Sequence, residues 1–121
     1  LGYAEAEHLM VAAIARYHRR SLPKKRHESW QLIEGRPQRQ TVAAMALLLR
    51  LAAALDRRPQ AVIAALQARR RGEQTLEIKL EPLPPESGHG SFDLSLERWS
   101  LQSCHDAVAE ATGLELKVTV A

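Results

Sequence analysis

The side chains in this 121-residue sequence with the clearest chemical potential are cations. Arg16, Arg19, Arg20, Lys24, Lys25 and Arg26 put six positive charges within eleven residues. Guanidinium groups offer forked N–H donors that match oxyanions in pairs, and lysine ammonium groups act as point charges. A run of this kind is either a solvated face or an anion site. His18 sits among these cations, one helical turn after Ile14, and is either a core histidine or part of that site. Two further charges, Arg50 and Asp56, lie in the otherwise apolar stretch TVAAMALLLRLAAALDRR from Thr41 to Arg58. A charge on a buried element is costly without a partner or an opening to water. Arg57 follows Arg50 by seven residues, so a continuous helix puts both on one face and turns Asp56 about 120° away.

The charge is unevenly spread along the chain. Residues 1–73 hold 14 Lys and Arg against 6 Asp and Glu, a net of +8, and residues 74–121 hold 3 against 8, a net of −5. A basic half suits a polyanion such as nucleic acid or polyphosphate, or an acidic partner surface. It also suits internal docking of the acidic half on the basic half.

Several chemistries are not written in this sequence. It has no Gly-rich phosphate loop, no Cys/His set with metal-ligand spacing and no nucleophile–base pair, so no catalytic residue and no metal ligand is assigned. No aromatic residue interrupts the basic run, which weighs against stacking on single-stranded nucleic acid. The run also lacks a helix-turn-helix context, so DNA reading is disfavoured. Cys104 is the single cysteine and forms no internal disulfide, in keeping with a cytoplasmic protein. The chain carries no signal peptide, and it opens LGYAEAE without a methionine, as expected of a piece of a longer protein.

The elements that must position these charges are helical at first. Ala4–Arg20 reads as an amphipathic helix with Met10, Val11, Ile14, Tyr17 and His18 on one face, ended by Pro23. SLPKKRHES is a basic loop, and Glu28–Glu34 a short helix with Trp30 and Ile33 inward. The Thr41–Arg58 stretch is apolar on nearly every side, which predicts a helix buried all round. It is about 27 Å long at ~1.5 Å per residue, and with Arg50 at its middle it is no membrane span. Gln60–Arg71 reads as a third long helix, closed by three arginines and Gly72.

After Gly72 the period changes to two. LEIKLEPL, with Leu76, Ile78 and Leu80 on one side, is expected as a half-buried strand. FDLSLER alternates through Phe92, Leu94 and Leu96 and is expected to pair with it as a hairpin. Ser100–Thr112 reads as a helix stopped by Gly113, and LELKVTVA as a last strand. The expected fold is therefore α+β: a helical portion of three to four helices over residues 1–73, then a β-β-α-β portion over residues 74–121 packed on it. His89 and His105 read as surface residues.

Two separated stretches carry a family resemblance. Glu7–Lys24 (EHLMVAAIARYHRRSLPK) and Ala43–Arg58 (AAMALLLRLAAALDRR) resemble the C-terminal domain of the exopolyphosphatase / guanosine pentaphosphate phosphatase (Ppx/GppA) family. Its pattern is a helix ending aryHrk with Pro-Lys after it, then LaalLRlAdaLDr. Most of the chain is covered, with the blocks in order and correctly spaced.

The resemblance implies a parent enzyme with an N-terminal actin-like phosphatase module that removes terminal phosphates from inorganic polyphosphate or pppGpp with a divalent metal such as Mg²⁺. It implies that this chain is the helical domain related to HD-type phosphohydrolases, without the domain's first helices. His18 matches the family's aryHrk histidine and Asp56 its LDr aspartate, positions that belong to or adjoin the metal site of true HD enzymes. Two groups fall short of the three or more ligands of a catalytic centre, so no cofactor is expected in this chain itself. The expected role is an accessory one. Arg16, Arg19, Arg20, Lys24, Lys25, Arg50 and Arg57 are the candidate polyanion-binding residues, and Arg50 has a structural ion pair as its other reading. The expected partners are the polyphosphate or pppGpp substrate, the parent's own actin-like module and a second copy of the chain through the helical half. The alternatives are a purely structural or dimerising helical domain without ligand, and a remnant HD-type metal phosphohydrolase.

Overall fold

The computed structural model describes residues 5–17 and 35–121, with side chains in the first stretch from Glu7 to Ala15. The expected basic loop and the Glu28–Glu34 helix lie outside the described residues. The chain forms two compact units, residues 1–50 and 51–121. The boundary expected after Glu73 falls within the turn between two paired strands.

In the first unit, α1 spans Glu5–Tyr17 and packs against α2, which spans Arg36–Leu55 and runs on past the unit's end. Gly35, at φ 87, turns the chain into α2, and its carbonyl accepts the Arg39 N–H at 3.2 Å. Pro37 sits in the first turn, where a missing N–H costs nothing. Ala13 of α1 meets Val42 and Ala46 of α2, all fully buried, with Leu9, Met10 and Ile14 packed around them. Two alanines at the centre let the helices approach closely.

The all-round burial expected of the central stretch is not observed. α2 buries Val42, Ala46 and Leu47, while Met45, Leu48 and Leu49 are 49%, 64% and 42% exposed. A helix needs packing on every side to hide a uniform apolar surface, and here only one side is sealed. The helix also stops at Leu55, before Asp56 and Arg57, so Arg57 does not share a helical face with Arg50 as expected.

The second unit is a three-stranded sheet of order β1-β2-β3 with two short helices. Its strands are β1 (Ile63–Arg71), β2 (Thr75–Pro82) and β3 (Glu115–Val120); its helices are α3 (Ser95–Gln102) and α4 (His105–Thr112). β1 runs antiparallel to β2. β3 runs parallel to β2, which requires the long crossover that α3 and α4 provide. The α+β class is as expected, with a helical portion followed by a small β-containing tail.

The expected Ser100–Thr112 helix is divided by a turn at residues 103–104 into the end of α3 and all of α4, and two further elements differ from expectation in type. Gln60–Arg71 does not make a third helix, because residues 63–71 form β1. Gly72, at φ 62, serves the hairpin turn, and the same backbone freedom would suit a helix stop. FDLSLER is not a strand, because Ser95–Gln102 is helical. Asp93 explains the switch: its carboxylate accepts the Ser95 N–H at 2.8 Å and the Ser95 hydroxyl, an Asx-turn that starts a helix. The buried positions Leu94, Glu97, Leu101, Cys104 and Val108 then recur at helical spacing through both helices. Gly113, at φ 73, ends α4 by donating to the Ala109 carbonyl at 2.8 Å.

One sheet face carries the core. Ile78, Leu80, Leu116 and Val118 are buried together with Leu94, Leu101, Ala107 and Val108. The outer edge of β3 is satisfied by α3. The Gln102 side-chain amide donates to the Leu116 carbonyl at 2.8 Å, and its oxygen accepts the Val118 N–H at 2.9 Å. Arg98 Nε donates to the Val118 carbonyl at 3.3 Å.

Candidate functional site

The expected polyanion-binding residues are only partly within the described residues. Arg16 belongs to α1, but its side chain lies outside them, as do His18, Arg19, Arg20, Lys24 and Lys25. Arg50 is half-buried near the end of α2. Asp56 and Arg57 are exposed in the chain that leaves α2, and the Asp56 N–H closes the helix end on the Ala53 carbonyl at 3.2 Å. His18 and Asp56 were the candidate HD-type pair. Among the described residues no group of three or more His, Cys, Asp or Glu is placed to hold a metal ion.

Arg58 has a role that its place in the sequence does not announce. Its Nε donates to Glu97 Oε2 at 2.9 Å and its Nη2 to Glu97 Oε1 at 3.0 Å, with a further bond from Nη2 to the Asp93 carbonyl at 2.8 Å. Glu97 is fully buried. The second arginine of the LDRR segment is therefore a structural clamp on α3, which leaves Arg57 facing solvent. No sequence signal distinguishes the two neighbours, since the partner lies 39 residues away.

A second group of cations was also missed, on the sheet face opposite the helices. There the Glu77 carboxylate, nearly buried, accepts Arg69 Nη2 at 3.2 Å on Oε1 and Arg71 Nη1 at 3.1 Å on Oε2. Strand register puts Lys79 one step along β2 on the same face, and Lys117 of β3 directly beside Glu77. Gln67, Arg69, Glu77, Lys79 and Thr119 line a shallow concavity of about 190 Å³. The signal was present in the arginine triplet and in the alternation of LQARRR, but only a strand assignment for residues 63–71 brings it together.

The sequence pattern of the Ppx/GppA phosphatase family, domain III, matches residues 1–104 of this chain. The chain belongs to that family. The match includes both blocks of the resemblance and continues through β1, β2 and α3 of the Ppx/GppA chain to Cys104. α4 and β3 lie beyond it, so the sheet carrying the second cation group extends past the matched residues. Comparison with curated proteins finds no match. No helix among the described residues is long and apolar enough to cross a membrane.

What the described part of the chain offers chemically is donors for oxyanions.

Proposed function

We propose that this chain is the accessory domain of a cytoplasmic Ppx/GppA-type phosphatase, engaging a linear phosphate polyanion and pairing two copies of the enzyme. The parent's actin-like module supplies the Mg²⁺-assisted phosphoryl transfer to water, and the substrate is inorganic polyphosphate or pppGpp. The carrying observation is the net +8 of residues 1–73 in a chain that matches this family over residues 1–104. Arg16, Arg19, Arg20, Lys24 and Lys25, with Arg50 and Arg57, are the residues proposed to contact phosphate oxygens. Such binding rests on charge-assisted N–H···O contacts and falls steeply with salt. His18 and Asp56 are proposed as remnants of an HD-type site. The exposed Met45, Leu48 and Leu49 support the pairing role, because apolar groups clustered on one helix favour association.

The test is a titration of the chain with long-chain polyphosphate at low and physiological salt, with duplex DNA of equal charge as competitor. Salt-sensitive binding that prefers polyphosphate supports the reading. Absence of binding at low salt removes it and leaves a structural, dimerising domain. In the parent enzyme, R16A, R19A and K24A combined are expected to lower exopolyphosphatase activity on long chains.

A further inference from the structure

We infer that the sheet face opposite α3 and α4 is a second oxyanion-binding surface, built from Arg69, Arg71, Lys79 and Lys117 and suited to a linear phosphate chain. The inference rests on the polyanion reading above but places contacts in a different part of the chain. Strand register arranges the face in three rows: Gln67, Lys79 and Thr119; Arg69, Glu77 and Lys117; Arg71, Thr75 and Glu115. Neighbouring strands lie about 4.8 Å apart, and same-face residues along a strand about 6.6 Å, so the four cations form one compact patch.

Glu77 organises that patch. Its carboxylate takes one guanidinium on each oxygen, from residues that are 63% and 55% exposed at the side chain. Each arginine carries five N–H donors. Arg69 spends Nε and Nη2 on Glu77 and Arg71 spends Nη1, so both retain donors toward solvent. The carboxylate thus fixes two flexible side chains before any ligand arrives, which lowers the ordering cost of binding. Four cations against the carboxylates of Glu77, Glu115 and Glu81, the last two at opposite margins of the patch, leave a surplus of one positive charge. Gln67 and Thr119 add an amide and a hydroxyl beside the concavity. Among the described residues the face has no aromatic residue to stack a base, so a bare phosphate chain fits better than single-stranded nucleic acid.

The experiment compares the full 121-residue chain with K79A/K117A and R69A/R71A variants, titrating labelled long-chain polyphosphate over a salt series. Lys79 and Lys117 are exposed and make no ion pair among the described residues, so K79A/K117A is expected to keep the wild-type melting profile. Arg70→Ala is the control. It removes a charge from the opposite side of β1, where Arg70 bonds the Glu73 carbonyl. Losing two phosphate contacts is expected to reduce the slope of log affinity against log salt by about 1.5. K79A/K117A should bind at least fivefold more weakly at low salt, and R70A should stay within twofold of wild type. Wild-type slope and affinity in K79A/K117A, while R16A/R19A/K24A loses binding, would overturn this surface and leave the proposed function standing. No binding by the wild-type chain would remove both. Equal competition by single-stranded RNA of the same charge would overturn the assignment to a phosphate chain.

Discussion

Arg58 grips Glu97 through two parallel N–H···O bonds of 2.9 and 3.0 Å, while the glutamate is sealed from solvent and the arginine keeps a quarter of its side chain exposed. The pair joins Arg58, the last residue of the LDRR segment, to α3 across 39 residues of chain. A bidentate geometry with a buried acceptor makes the arginine hard to replace. Removing one partner of such a pair leaves an uncompensated charge, at a cost of roughly 3 kcal/mol or more. Arg58→Ala is therefore expected to destabilise the second unit by that order, and Glu97→Gln by clearly less, because the amide oxygen can still accept. Chemical denaturation of both variants checks the ranking. Equal, small losses would mean that the clamp contributes little.

The β3 edge likewise depends on one side chain of α3. In an extended strand the carbonyl of one residue and the N–H two residues on point the same way, and Gln102 meets both with one amide, at Leu116 and Val118. The side chain stands in for a fourth strand at the sheet edge. Gln102→Ala leaves one carbonyl and one N–H with a lost partner, at roughly 1–3 kcal/mol. Gln102→Glu keeps the acceptor for Val118 and loses the donor for Leu116, so its loss should be intermediate or set a carboxylate against a carbonyl. Hydrogen exchange at Val118 provides the direct readout: the amide should exchange faster in Gln102→Ala than in the parent chain.

These two contacts indicate how much of the fold was legible in the sequence. β2 and β3 are half-buried, so burial imposes the strict alternation of Leu76, Ile78 and Leu80 and of Leu116 and Val118. The Gly113 stop is legible because its left-handed backbone demands glycine. β1 is an edge strand whose residues from Ala64 onward are exposed, so burial imposes little pattern on it. Its Ala- and Arg-rich composition favours helix, and pairing with β2 overrides that preference. In FDLSLER the alternation of Phe92, Leu94 and Leu96 is incidental, since Leu96 is exposed and the Asx-turn at Asp93 starts a helix. For the candidate site, cations clustered in sequence were readable and those assembled by strand register were not. Arg69 and Arg71 meet Lys117 only through β2.

Asp93 gives the second unit an acid-sensitive contact. The Ser95 hydroxyl, then the Ser95 N–H, hold its carboxyl below the ordinary 3.8, with Arg58 adding to the effect. A carboxylate lowered on folding contributes fully above its unfolded pKa and loses that contribution as pH falls through the folded value. The stability gap between the parent chain and Asp93→Ala should therefore be constant from about pH 5 to 7 and close progressively below 3.8. Urea midpoints measured at stepped pH decide it. A gap that persists unchanged at the acid end would show that the carboxylate charge is not what Ser95 and Arg58 hold.

The exposed side of α2 presents Met45, Leu48 and Leu49 to solvent. Leu48 is 64% exposed, so replacing it removes little from the fold, and a surface change of this kind is worth about 0.5 kcal/mol or less. Leu80, fully buried in the sheet core, is the contrast: Leu80→Ala should cost about 2–5 kcal/mol. If Met45, Leu48 and Leu49 pair two copies of the chain, Leu48→Glu puts a charge into that contact and should shift the sedimenting species from dimer to monomer. Its melting profile, extrapolated to low protein concentration, should match that of the parent chain. Leu80→Ala should do the reverse, lowering stability without changing the mass of the folded species. A parent chain that sediments as a monomer at every concentration tested would remove the pairing role from α2 and leave polyanion binding as the domain's contribution.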